Sequence, residues 1–129
     1  MFIKTDFDKN YAGRDGGAVF LKASTASFIS CIVRLNSAGQ GGGAIYDEGS
    51  SVIFVAHSCI MRNRAIGLNG GAMSLDMSTV SITESHLDYN KAKYQGGAVY
   101  DEESSTVDAF ASQFQYNEAE DSYAGTINA

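Results

Sequence analysis

Short runs in which apolar and polar residues alternate recur along the chain, as in Val80-Ser81-Ile82 and Ser85-His86-Leu87. Alternation with a period of two puts every second side chain on one face, so these runs predict β-strands of about three to five residues. Glycine, serine and asparagine punctuate them. No stretch between the glycines carries an apolar stripe at helical spacing over about ten residues, so no helix is expected.

The runs return at a fixed interval. Asn10, Asn36, Asn63, Asn90 and Asn117 are separated by 26, 27, 27 and 27 residues. Three positions before them stand Phe7, Val33, Ile60, Leu87 and Phe114, and five before them the small residues Thr5, Cys31, Ser58, Ser85 and Ser112. Two positions after them stand Ala12, Ala38, Ala65, Ala92 and Ala119. A glycine pair follows at Gly16-Gly17, Gly42-Gly43, Gly70-Gly71 and Gly96-Gly97, with Ala124-Gly125 as a weaker fifth copy. Agreement of so many phases at one period identifies a repeat protein.

A unit of this length, with three short strands and three turns, closes one coil of a parallel β-helix. The chain is therefore read as all-β: one β-solenoid domain over residues 1–129, of about five coils with three short strands each. The coils fall at approximately 1–24, 25–50, 51–78, 79–104 and 105–129. Coils pair about 4.8 Å apart, so equivalent residues form columns. Val19, Ile45, Met73, Val99 and Ile127 are expected to face inward. The asparagines are expected in tight turns at positive φ, their amides bonding the coils above and below. The glycine pairs should mark a bend that a Cβ would obstruct.

These motifs resemble a known family. FDKN (Phe7–Asn10) and FQYN (Phe114–Asn117) are similar to the FxxN motif of the polymorphic outer-membrane protein repeats, with VRLN, IMRN and LDYN as conservative variants. GGAV, GGAI, GGAM and a second GGAV resemble that family's GGA[ILV] motif, and AGTI departs further. The resemblance covers essentially the whole chain. It implies a right-handed parallel β-helix in an extracellular or cell-surface setting, often within adhesins.

Composition narrows the field of partners. The formal charge of −6 disfavours nucleic acid and anionic membranes, both of which need a basic face. No apolar run approaches the ~18 residues of a membrane span, and MFIKTDFDKN lacks the apolar core of a signal peptide. By phase, Phe2 is equivalent to Phe28 and Ala129 to Asp47, so the sequence enters and leaves in mid-coil. The expectation is a segment of a longer array, or a unit that stacks head-to-tail with copies of itself or with other chains.

Chemistry is sought on outward positions. His57, Cys59, Glu84 and His86 fall on neighbouring coils, a set able to bind zinc or to present a Cys–His pair. Cys31 shares the inward small-residue column and Cys59 lies out of phase with it, which disfavours a disulfide. Glu48, Asp76 and Glu102 form an acidic column, flanked by Asp47 and Asp101, that calcium would relieve. Tyr46 and Tyr100 share an outward column with Phe20, Ser74 and Asn128, and Tyr89 and Tyr116 are neighbours in another. Exposed aromatics of this kind hold sugar rings or protein partners.

The leading reading is a non-enzymatic structural or adhesive solenoid, part of a filament, surface protein or larger assembly, acting through coil-end stacking. No catalytic residue and no cofactor are assigned, with calcium or zinc the only candidates. The alternatives are a carbohydrate-binding or polysaccharide-cleaving β-helix, and a surface metal site.

Overall fold

The computed structural model describes residues 1–121 and 126–128. It is an all-β solenoid with four parallel sheets, each of five strands, so every sheet is crossed again after each turn and four complete turns lie between its first and last strands. The first sheet holds Phe2–Ile3, Thr25–Ile29, Val52–Ala56, Thr79–Thr83 and Thr106–Phe110. The second holds Asp6–Asp8, Ile32–Arg34, Cys59–Met61, His86–Asp88 and Gln113–Gln115. The third is built of two-residue strands, Tyr11–Ala12, Ser37–Ala38, Arg64–Ala65, Lys91–Ala92 and Glu118–Ala119. The fourth holds Val19–Leu21, Ile45–Asp47, Met73–Leu75, Val99–Asp101 and Ile127–Asn128. Each full coil therefore has four strands where three were expected. The extra one is too short to show alternation in sequence. Ala124-Gly125 and Ala129 lie outside the described residues.

The registers join equivalent positions. Ile60 pairs with Val33 and Leu87, Ala65 with Ala38 and Ala92, and Met73 with Ile45 and Val99. Val99 continues to Ile127 along the backbone. The core follows from that stacking: Phe28, Val33, Ile45, Ile53, Val55, Ile60, Met73, Leu75, Val80, Ile82, Leu87 and Val99 are fully buried. Each such side chain contributes roughly 1.5–3 kcal/mol relative to exposure. At the first coil, Phe2, Phe7 and Phe28 pack as an aromatic group, with ring centroids 5.0–5.8 Å apart.

The corners are made by left-handed backbone. One corner has Lys4, Ser30, His57, Glu84 and Ala111 at positive φ, each just before the small-residue column. The next has Lys9, Leu35, Arg62, Tyr89 and Tyr116, each just before an asparagine. A third has Ala23, Ser50, Met77 and Ser104, each just before a serine. Positive φ thus falls on the residue preceding the asparagine, not on the asparagine. The reversal there turns the asparagine inward, where Asn36, Asn63 and Asn90 are buried and their amides face the neighbouring coils.

Three ladders result. Asn63 Oδ1 accepts from both the backbone N–H and the Nδ2 of Asn36, while Asn63 Nδ2 donates to Asn90 Oδ1 and to the Val33 carbonyl. The same arrangement runs from Asn10 to Asn117. Ser58, Ser85 and Ser112 hydroxyls each accept the N–H of the residue one coil earlier, Cys31, Ser58 and Ser85. Ser51, Ser78 and Ser105 do the same for Ser24, Ser51 and Ser78. Each corner so satisfies buried backbone donors that the strands leave unpaired.

The fourth corner belongs to the glycine pair, whose two members have different reasons to be glycine. Gly42 and Gly70 have φ +61° and +70°, and a Cβ there would lie within 2.2 Å of a carbonyl of their own turn. Gly43 and Gly71 instead face the next coil: a Cβ on Gly71 would lie 2.0 Å from the Gly97 carbonyl oxygen.

Candidate functional site

The outer face of the fourth sheet carries the cleft of interest. Register places Phe20 beside Tyr46, and their rings stack at 5.5 Å with 21° between planes. The stretch before the first glycine pair brings Arg14 and Asp15 to the same place. Asp15 Oδ1 accepts the Gly41 N–H at 3.0 Å, which ties that stretch to the second coil. Arg14, Asp15, Phe20, Tyr46 and Glu48 together line a half-open cleft of about 270 Å³. At its margin Lys22 Nζ lies 3.2 Å from Glu48 Oε2. Burial pushes the Tyr46 phenol up, and the carboxylates of Asp15, Glu102, Glu48 and Asp76 push it further. Burial, then Glu102 and Asp101, act likewise on Tyr100.

Two expected groups thus share one location, since Tyr46 was expected to contact a sugar or a protein partner and Glu48 to bind calcium. Arg14 and Asp15 were missed. Their signal is faint: position 15 recurs as Gly41, Asn69 and Gln95, and Asn69 repeats the Asp15 pattern, its Oδ1 accepting the Gln95 N–H. Ser74, between Tyr46 and Tyr100 in register, is buried although its position is outward.

The acidic column needs correction. Asp47 and Asp101 do not flank Glu48, Asp76 and Glu102 on the outer face, because alternation through Ile45 and Tyr46 returns Asp47 inward. Asp47 is fully buried and its carboxylate accepts from the hydroxyls of Ser51 and Ser78. Asp101, equivalent by register two coils on, accepts the Ser105 N–H with both oxygens at 3.0 Å. These acids belong to the serine corner. Glu48 is engaged by Lys22, while Glu102 is exposed and Asp76 half-buried.

The square of His57, Cys59, Glu84 and His86 does not close around a common point. Cys59 and His86 pair in register on the second sheet. His57 and Glu84 sit at the preceding left-handed corner, where Nδ1 and Oε2 are 3.2 Å apart. His86 turns instead to Asp88, at 3.7 Å. The corner reorients the chain between the two pairs, and among the described residues no three His, Cys, Asp or Glu are grouped to hold a metal ion. Cys31 is buried, Cys59 half-buried, and both thiols are free. Burial and then Asp88 raise the Cys59 thiol, which works against an activated thiolate.

Other outward columns are aromatic and ionic. Tyr89 and Tyr116 stack at 4.8 Å, and the Arg62 guanidinium lies 5.8 Å from the Tyr89 ring centroid. On the third sheet's outer side, Lys91 and Lys93 both reach Glu120, at 3.0 and 3.3 Å, and Arg64 approaches it at 3.5 Å.

The chain matches no protein-family model, no curated protein and no solved structure.

Proposed function

We propose that this chain is a non-enzymatic structural element, a stiff solenoid segment that adds further coils at its end faces within an extracellular or surface filament, adhesin or larger assembly. The observation carrying this reading is that the asparagine ladder repeats one geometry through every rung and offers it at both faces. Asn10 Oδ1 has no donor above it among the described residues, and the Asn117 N–H has no acceptor below it. Another coil in the same register, from this polypeptide or a second chain, supplies both.

Charge and aromatic placement support the same reading. Residues 1–24 hold the cations Lys4, Lys9, Arg14 and Lys22 beside the acids Asp6, Asp8 and Asp15, whereas 105–129 hold no cation and the acids Asp108, Glu118, Glu120 and Asp121. In a continued register Lys9 follows Tyr116, one face of whose ring is covered by Tyr89. A lysine over the other face would reproduce the Arg62–Tyr89 contact. The extracellular setting rests on the resemblance of the FxxN and GGA motifs.

Sedimentation velocity over a dilution series tests this. Elongating species that grow with concentration, and that Lys9→Glu disperses, are expected. A single small species at every concentration would remove the stacking reading.

A further inference from the structure

Beyond stacking, and independently of it, we infer that the cleft between Phe20, Tyr46, Arg14, Asp15 and Glu48 is a binding site for a neutral saccharide. Three observations carry this. The first is shape: the cleft is half-open and about 270 Å³, near the lower end of small-molecule sites. The second is the donor and acceptor set. Arg14 and Lys22 donate, Asp15 and Glu48 accept, and the Tyr46 hydroxyl does both. A sugar ring, whose hydroxyls each donate and accept, can use every one of these.

The third is how the rings are placed. Phe20 and Tyr46 stack on one another, and Phe20, on the edge strand of the sheet, remains 49% exposed. A cation there meets the charges of Arg14 and Lys22. An anionic sugar meets Asp15 and Glu48, with Asp76 and Glu102 close enough to act on the Tyr46 phenol. A neutral polyol avoids both penalties. It sets its C–H surface on the aromatic surface of Phe20 and Tyr46 that lines the cleft and its hydroxyls on the charged groups.

Asp15 is the positioning residue of the cleft. One of its oxygens is committed to the Gly41 N–H, and its other oxygen, 4.0 Å from Arg14 Nε, remains to accept from a ligand. Its side chain is only 13% exposed, so a ligand bond there is screened little.

The test is an amide-shift titration of the isotopically labelled full chain, watching Gly41 and Tyr46. The probes are cellotetraose, maltotetraose and a galactan tetrasaccharide, alongside tetragalacturonate and choline chloride. Saturable shifts with at least one neutral tetrasaccharide are expected, lost in Tyr46→Ala and weakened about tenfold in Glu48→Gln. The Asn63 side-chain amide signals report whether each variant keeps its fold, and Glu48→Gln serves where Tyr46→Ala does not. Response only to tetragalacturonate or to choline overturns the inference. So does no response up to about 10 mM ligand, or full binding by Glu48→Gln. Sedimentation of the same samples reads the stacking proposal separately, so either can fail alone.

Discussion

Asn63 accepts, through one amide oxygen, both the main-chain and the side-chain N–H of Asn36, each at 3.0 Å. The two residues are 27 positions apart and adjacent in space. Removing the Asn63 amide strands two buried donors of Asn36 and takes one bond from the Val33 carbonyl. Unpaired buried groups cost about 1–3 kcal/mol each. Asn63→Ala is therefore expected to destabilise by roughly 3 kcal/mol or more, read as a lower denaturant midpoint. A shift below about 0.5 kcal/mol would mean that the ladder is ornamental.

Glycine position separates two behaviours. Gly71→Ala drives a methyl into the Gly97 carbonyl at 2.0 Å, so neighbouring coils must part. The expected cost is about 3 kcal/mol or more. Gly13→Ala meets nothing within 4 Å and should be close to neutral. Equal effects of the two changes in thermal unfolding would contradict the coil spacing described above.

Left-handed corners occupied by residues with a Cβ invite the opposite change. Ala23 is exposed with φ 44°, a conformation that costs an L-residue about 1–2 kcal/mol and glycine almost nothing. After glycine's larger unfolded-state entropy is deducted, Ala23→Gly should stabilise by about 0.5 kcal/mol. Chemical denaturation decides, and a clear loss of stability would show that the corner is not left-handed.

Alkaline titration probes the fourth-sheet face. The phenols of Tyr46 and Tyr100 lie above the ordinary 10.0, chiefly through burial. A raised folded value means the native state holds its proton more tightly than the unfolded chain. The associated stability is complete below the unfolded value and is lost as pH rises through the folded one. Ultraviolet titration should show Tyr46 and Tyr100 ionising above pH 10, and Tyr46→Phe should remove one of these late components. Ionisation of Tyr46 and Tyr100 at or below pH 10 would contradict this placement.

Much of this architecture was legible because the columns repeat in residue type. Asn36, Asn63 and Asn90 recur identically, and so do Ala38, Ala65 and Ala92, which made the period and the parallel stacking readable. The third sheet was not, because Ser37–Ala38 is too short to alternate. Asp47 was misplaced because a carboxylate suggests solvent, whereas strand alternation with Ile45 and the Ser51 and Ser78 hydroxyls take it inside. The left-handed residues escaped because Lys9, Leu35, Arg62 and Tyr89 share a conformation without sharing a chemistry. Of the cleft, Tyr46 and Glu48 were visible as columns. Arg14 and Asp15 come from a part of the coil whose residue types do not repeat, the equivalent pairs being Gln40-Gly41, Leu68-Asn69 and Tyr94-Gln95.

The winding of the chain at this period is tested most directly by through-space proton contacts among the side-chain amides of the asparagines. The account predicts cross-peaks linking Asn36 to Asn63 and Asn63 to Asn90, with none between Asn36 and Asn90. Amides isolated from one another, or contacts joining non-consecutive members of the series, would contradict it.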